Sequence, residues 1–128
     1  MHKAKFALIC ALFAMANQAF ATNHLVEVAW SRDGAFAYGA SVEPGKFVEL
    51  CGKLAPGDSI RWDFAASVLV DFNIHYHMGK EVEFPAKQVQ VSAGQDTLRV
   101  AVREDYCWMW SNKSSSQARI DVRLQRQN

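Results

Sequence analysis

Ser67-Val68-Leu69-Val70-Asp71-Phe72-Asn73-Ile74-His75-Tyr76-His77-Met78 is the most regularly alternating stretch of the chain. Side chains on a β-strand repeat every second residue, so Val68, Val70, Phe72, Ile74 and Tyr76 share one face. That face is expected to be core. Leu69, Asp71, Asn73, His75 and His77 line the opposite, polar face. Working outward, Ser59 to Ala65 alternates in the same way, with Ile60, Trp62 and Phe64 on one side. The turn before it, Ala55-Pro56-Gly57-Asp58, has a proline that presets φ and a glycine that supplies positive φ. Further upstream, His24 to Trp30 and Lys46 to Gly52 read as strands, and Ala35 to Gly45 carries no clear pattern.

Downstream, Gly79-Lys80 turns the chain into Glu81 to Phe84, a strand ended by Pro85. Gln88 to Ser92 and Thr97 to Arg103 are expected as two strands around an Ala93-Gly94-Gln95-Asp96 turn. Val89 and Val91 point inward in the first, and Leu98, Val100 and Val102 in the second. Tyr106 to Ser111 is a strand, Asn112 to Ser116 a polar loop, and the last strand turns Ala118, Ile120, Val122 and Leu124 inward. Short alternating runs with turn signals about every ten residues, and almost no helical periodicity, predict an all-β fold: an antiparallel β-sandwich of about seven or eight strands.

The N-terminus has a different character. Lys3 and Lys5 precede the apolar run Phe6 to Ala16, and Ala19-Phe20-Ala21 is a small-x-small site, the layout of a secretory signal cleaved after Ala21. Cys10 does not make a lipoprotein signal, because Ile9 stands where a small residue is wanted. Removing 21 of the 128 residues leaves 107, expected to form one sandwich domain at 22–128. It also takes Lys3 and Lys5 from the 14 basic residues, leaving 12 against 13 acidic ones. Near-neutrality argues against nucleic acid as a partner, since phosphate binding needs a basic surface to displace counterions. No later apolar run is long enough to span a bilayer, so periplasmic or secreted localisation follows.

Two cysteines remain, Cys51 and Cys107, and an oxidising compartment predicts a disulfide between them. Neither lies in a Cys-x-x-Cys motif, which favours a structural bond over a redox-active one. Tyr106, Trp108 and Trp110 share a strand face. Such a row is either a ligand platform or core, and Trp30 and Trp62 are available to meet it as core. Cys107 and Met109 then point the other way, or a bulge flips the register.

The sequence resembles the GOLD (Golgi dynamics) domain. The matching features are Pro56-Gly57-Asp58 before Ile60-Arg61-Trp62-Asp63-Phe64, the Val70-Asp71-Phe72-Asn73-Ile74 strand, and Trp108-Met109-Trp110-Ser111-Asn112 before the last strand. The resemblance covers roughly Lys46 to Leu124. It implies a compact sandwich used in binding. Without the coiled coil, membrane span and tail of the cargo receptors in that family, it does not imply cargo-receptor function.

His75-Tyr76-His77-Met78 is the sharpest chemical signal. His75 and His77 project from one strand face, and Met78 offers a thioether that suits copper, so copper or zinc is the candidate cofactor. Asp71 and Asn73 extend the same row and complete a candidate binding face. Glu81, Glu83 and His24 are possible third ligands. The bland alternative is an ordinary solvent-facing strand. There is no phosphate loop, nucleophile elbow or paired-carboxylate motif, so no catalytic residue is assigned and enzymatic function is not expected. The leading expectation is a non-catalytic exported binding module recognising a protein or envelope component. The alternative is a periplasmic copper- or zinc-binding protein.

Overall fold

A computed structural model of the chain describes residues 23–127. The expected signal segment, with its expected cleavage after Ala21, lies outside those residues. Seven strands run in chain order: β1 His24–Glu27, β2 Ala35–Val42, β3 Phe47–Leu54, β4 Ser59–Met78, β5 Glu81–Arg99, β6 Glu104–Ser111 and β7 Ala118–Gln127. They pair in the order β1-β3-β6-β4-β7-β2, with β5 on β4. There is no helix among the described residues.

The long strand β4 makes the sandwich. Its first part pairs with β7, from Ser59↔Gln127 to Ala66↔Ile120, and its second part pairs with β6, from Asp71↔Ser111 to His75↔Cys107. Between them the β4–β5 register slips from Ala65↔Ala93 to Val70↔Val91, so β4 holds extra residues at a bulge and bends there. Trp62 and Phe72 are ten residues apart, which would place them roughly 33 Å apart on a straight strand. Their rings lie 4.8 Å apart. The strand folds back on its own inner face, and Phe64, Phe72 and Trp110 close around the same point.

The inner faces are those that alternation predicts. Ile60, Trp62, Phe64, Val70, Phe72 and Ile74 are buried, as are Ile120, Val122 and Leu124 opposite them. Tyr106, Trp108 and Trp110 belong to this core, the last two without any exposed surface. The Pro56-Gly57-Asp58 turn forms, with Gly57 at φ 93° and the Asp58 carboxylate accepting from Ala55 N–H at 2.9 Å.

Three expectations are corrected. The pairing is not wholly antiparallel, because the short β1 lies parallel to β3 from His24↔Val48 to Glu27↔Cys51. No turn forms at Ala93–Asp96: β5 runs unbroken through Pro85 and Gly94 because β4 pairs with it along its length. Val89 points outward and is 63% exposed, since β5 carries a bulge at Gln90, whose φ is 54°, that shifts its facing.

Candidate functional site

β3, β6 and the second part of β4 lie side by side, and their outward residues form rows across the sheet. Glu49 pairs with Met109 and Met109 with Asn73; two residues on, Cys51 pairs with Cys107 and Cys107 with His75. The β3–β6 register is regular from Phe47↔Ser111 to Leu54↔Glu104, so no bulge flips it and the disulfide lies on the face opposite Trp108 and Trp110. Polar and sulfur-bearing side chains thus meet on one outer surface, at the centre of which sits His75.

His75 is 7% exposed although it faces away from the core. Its Nδ1 lies 2.7 Å from Asn73 Oδ1, its Nε2 lies 3.2 Å from Glu49 Oε1, and the Phe84 ring from β5 packs 6.1 Å away. Burial lowers the imidazole pKa from its usual 6.5; the Glu49 carboxylate opposes that shift and neighbouring His77 adds to it. The His77 ring stands edge-on at 5.4 Å. Beyond His75, β4 is paired only with β5, through His77↔Val82 and Met78↔Glu81, so this part of the chain is a two-stranded ribbon. Its turn carries Gly79 at φ 58°. Met78, Val82 and Phe84 on the ribbon are 45%, 39% and 47% exposed.

The sequence-predicted residues therefore separate into groups. His75 and Asn73 are in direct contact, and His77 is beside them. Met78 sits at the ribbon tip. Asp71 is engaged elsewhere: Lys113 Nζ lies 2.7 Å from Oδ2, and the backbone N–H and side chain of Gln90 donate to Oδ1. The Lys113 contact is the main cause of a carboxyl pKa below its usual value, with burial opposing it and Gln90 adding to it. His24 stands at the far edge on β1, and Glu81 and Glu83 are on the ribbon opposite Met78 and Tyr76. Glu49 is the residue that sequence reading missed. It reads as an ordinary outward strand position, and only the β3–β6–β4 register brings it to His75.

Among the described residues, the carboxylate oxygen of Glu49 and the sulfurs of Cys51 and Cys107 lie within 4.8 Å of one another. While the sulfurs are bonded together, the available metal donors here are one carboxylate and one imidazole, too few for a tight site.

No protein-family model and no curated protein matches the sequence. Solved structures do. The chain superposes on PliG of Aeromonas hydrophila, a periplasmic lysozyme inhibitor of g-type lysozyme, with a TM-score of 0.63 at 14% identity, over 84% of this chain and 100% of that one. The fold is similar to that of PliG. A PliG mutant from Escherichia coli gives 0.58 at 12% identity, over 83% and 100% of the two chains. The pre-peptidase C-terminal domain of a Bacillus anthracis collagenase gives 0.62 at 8%, over 82% and 98%. What PliG and this chain share at these identities is the β-sandwich architecture, which is also the part of the GOLD resemblance that the structure carries.

Proposed function

We propose that the protein is a non-catalytic periplasmic module that recognises another protein. The observation that carries this reading is the β4–β5 ribbon. Of the six large apolar side chains exposed among the described residues, Leu25 lies apart on β1 and the other five lie on β4 or β5, with Met78, Val82 and Phe84 gathered at the ribbon. His77 pairs with Val82, and Phe84 packs near His75, so the ribbon's apolar surface continues into the His75 face. Apolar groups gathered on a projecting element are the usual mark of a protein contact, whereas scattered ones carry no meaning. The export signal, the disulfide, the GOLD-like motif order and the fold shared with periplasmic inhibitor proteins support the same reading.

β5 is an edge strand, yet Pro85, Lys87 and three register irregularities along its pairing with β4 discourage another strand from adding to it. Recognition is therefore through side chains. The test is a photo-crosslinking residue placed at Phe84 or, as control, at Ala37, followed by crosslinking in the native compartment. A discrete protein adduct at Phe84 that disappears with Val82→Asp supports the reading. Equal labelling at both positions, or a hydrolase or transferase activity abolished by one substitution, overturns it. Inhibition of g-type lysozyme is the first partner-specific assay, because that is what PliG inhibits.

A second reading, copper or zinc handling on His75 and His77, is favoured by one contact, the Glu49 carboxylate 3.2 Å from His75 Nε2. Calorimetric titration of the disulfide-closed protein with each metal, beside a His75→Ala/His77→Ala variant, tests it. Equal weak binding by both proteins removes it.

A further inference from the structure

The disulfide lies beside the Glu49 carboxylate, which in turn meets His75, and opening the bond would add two thiolates to these donors. Cys51 and Cys107 face each other across β3 and β6, with Cα atoms 4.1 Å apart, and His75 follows in the same row on β4. Glu49 precedes Cys51 by two residues and so projects from the same face. One carboxylate oxygen and both sulfurs lie within 4.8 Å of one another; His75 stands outside that cluster and joins it through Glu49, with Nε2 3.2 Å from Oε1. Two thiolates, an imidazole and a carboxylate are a four-ligand set suited to zinc, with bonds of about 2.0–2.3 Å. Closely placed Cα atoms let both thiolates, once freed, swing apart by side-chain rotation and still reach one ion.

The surroundings of His75 point the same way. Both ring nitrogens face oxygen atoms, Asn73 Oδ1 and Glu49 Oε1. When Nδ1–H donates to Asn73, Nε2 presents its lone pair toward a carboxylate, a contact that a cation between the two would turn from repulsive to attractive. The Asn73 contact is the kind of support that orients a metal-binding imidazole. Cys107 and His75 are both buried, and the Phe84 ring stands 6.1 Å from His75, which limits access of water to that side.

We propose that Cys51, Cys107, Glu49 and His75 form a redox-gated zinc site, competent only when the disulfide is reduced. A dithiol gives up two electrons and two protons and closes to its own disulfide. The Cys51–Cys107 bond breaks into two thiols. Zinc then displaces both thiol protons to solvent and is held by two thiolates, the Glu49 carboxylate and neutral His75 Nε2. An external disulfide then takes up two electrons and two protons and becomes a dithiol, as the Cys51–Cys107 bond re-forms and the ion is released. An exported chain emerges with both thiols reduced, so the open state precedes the closed one. The inference does not depend on the protein-recognition reading; it shares His75 with the His75/His77 reading and differs in taking Cys51, Cys107 and Glu49 in place of His77.

The test titrates cobalt(II) and zinc into the full chain under anaerobic conditions, once disulfide-closed and once reduced by a phosphine. The reduced protein is expected to bind one cobalt with a thiolate-to-metal charge-transfer band and tetrahedral visible bands, and zinc should displace it. The closed protein should give neither band. Glu49→Gln, which keeps the side chain's shape, should weaken zinc binding on the order of tenfold or more, while His77→Ala should leave it unchanged. Far-ultraviolet circular dichroism on each variant separates lost ligands from lost fold. Equal affinity of the open and closed proteins, no thiolate band, or loss of binding in His77→Ala overturns the proposal, and the last outcome would favour the His75/His77 reading instead.

Discussion

His75 is a buried side chain on the outside of a sheet, and its environment makes a measurable claim. Because burial lowers its folded pKa below the usual 6.5, the unfolded chain takes up the proton first as pH falls. His75 thus contributes stability that is fully present above pH 6.5 and lost progressively as pH drops toward its folded value. Urea unfolding of the metal-free, disulfide-closed protein between pH 7.5 and 5 should show a decline that His75→Gln flattens. An unchanged slope in that variant would contradict the burial account. Asn112 is the other buried polar residue among the described residues, with no exposed surface. Its Nδ2 donates to Val42 O at 2.9 Å and Ser116 O at 2.7 Å, and its Oδ1 accepts from Ser114 N–H and Oγ–H. It ties the end of β2 to the loop after β6, so the Asn that carries part of the GOLD resemblance is a structural tie. Asn112→Ala leaves two carbonyls and two Ser114 donors without that partner and should cost about 2–3 kcal/mol in chemical denaturation.

At the scale of elements, alternation was a sound guide wherever one face is buried, as in Val70, Phe72 and Ile74 or Ile120, Val122 and Leu124. It failed on β5, where nearly every side chain is partly or fully exposed and hydrophobic pattern carries little information. Gly94 read as a turn residue but is a strand residue with positional work to do. A Cβ there would stand 2.7 Å from Phe64 Cε1 and 2.8 Å from Gln88 Oε1, so the glycine lets β5 pass closely under the aromatic cluster. That close approach is a tertiary contact, invisible to a reading of local turn chemistry. Gly94→Ala should force Phe64 or the strand to shift and cost about 1–3 kcal/mol, seen as a lower melting temperature; a neutral or stabilising result would mean that β5 accommodates the methyl without strain. The candidate site was legible in the same partial way. His75 and Asn73 share a face by simple period, but Glu49 reaches them only through the pairing of three strands, which periodicity does not encode.

Across the whole molecule, two faces of one sheet layer perform separate tasks. Inward, Trp108 and Trp110 join the aromatic cluster that the bend of β4 gathers. Outward, the same strand β6 holds Cys107 against Cys51. The disulfide bridges residues 56 apart in sequence, so its entropic effect on the unfolded chain is large, about 4 kcal/mol in the loop-closure model. Its removal deletes no residue from the buried cluster that includes Trp62, Phe72, Trp108 and Trp110. A Cys51→Ala/Cys107→Ala variant should therefore keep the far-ultraviolet and near-ultraviolet dichroism of the native sandwich while losing about 2–4 kcal/mol against urea, with a steeper slope of the transition. The slope is informative because it scales with surface exposed on unfolding: with the native fold intact, the rise reports a denatured chain that is no longer cross-linked and exposes more surface. A variant with native-like β-sheet signal but lost aromatic dichroism would show instead that the outer bond is needed to hold the inner packing, and that the two faces are not energetically separable.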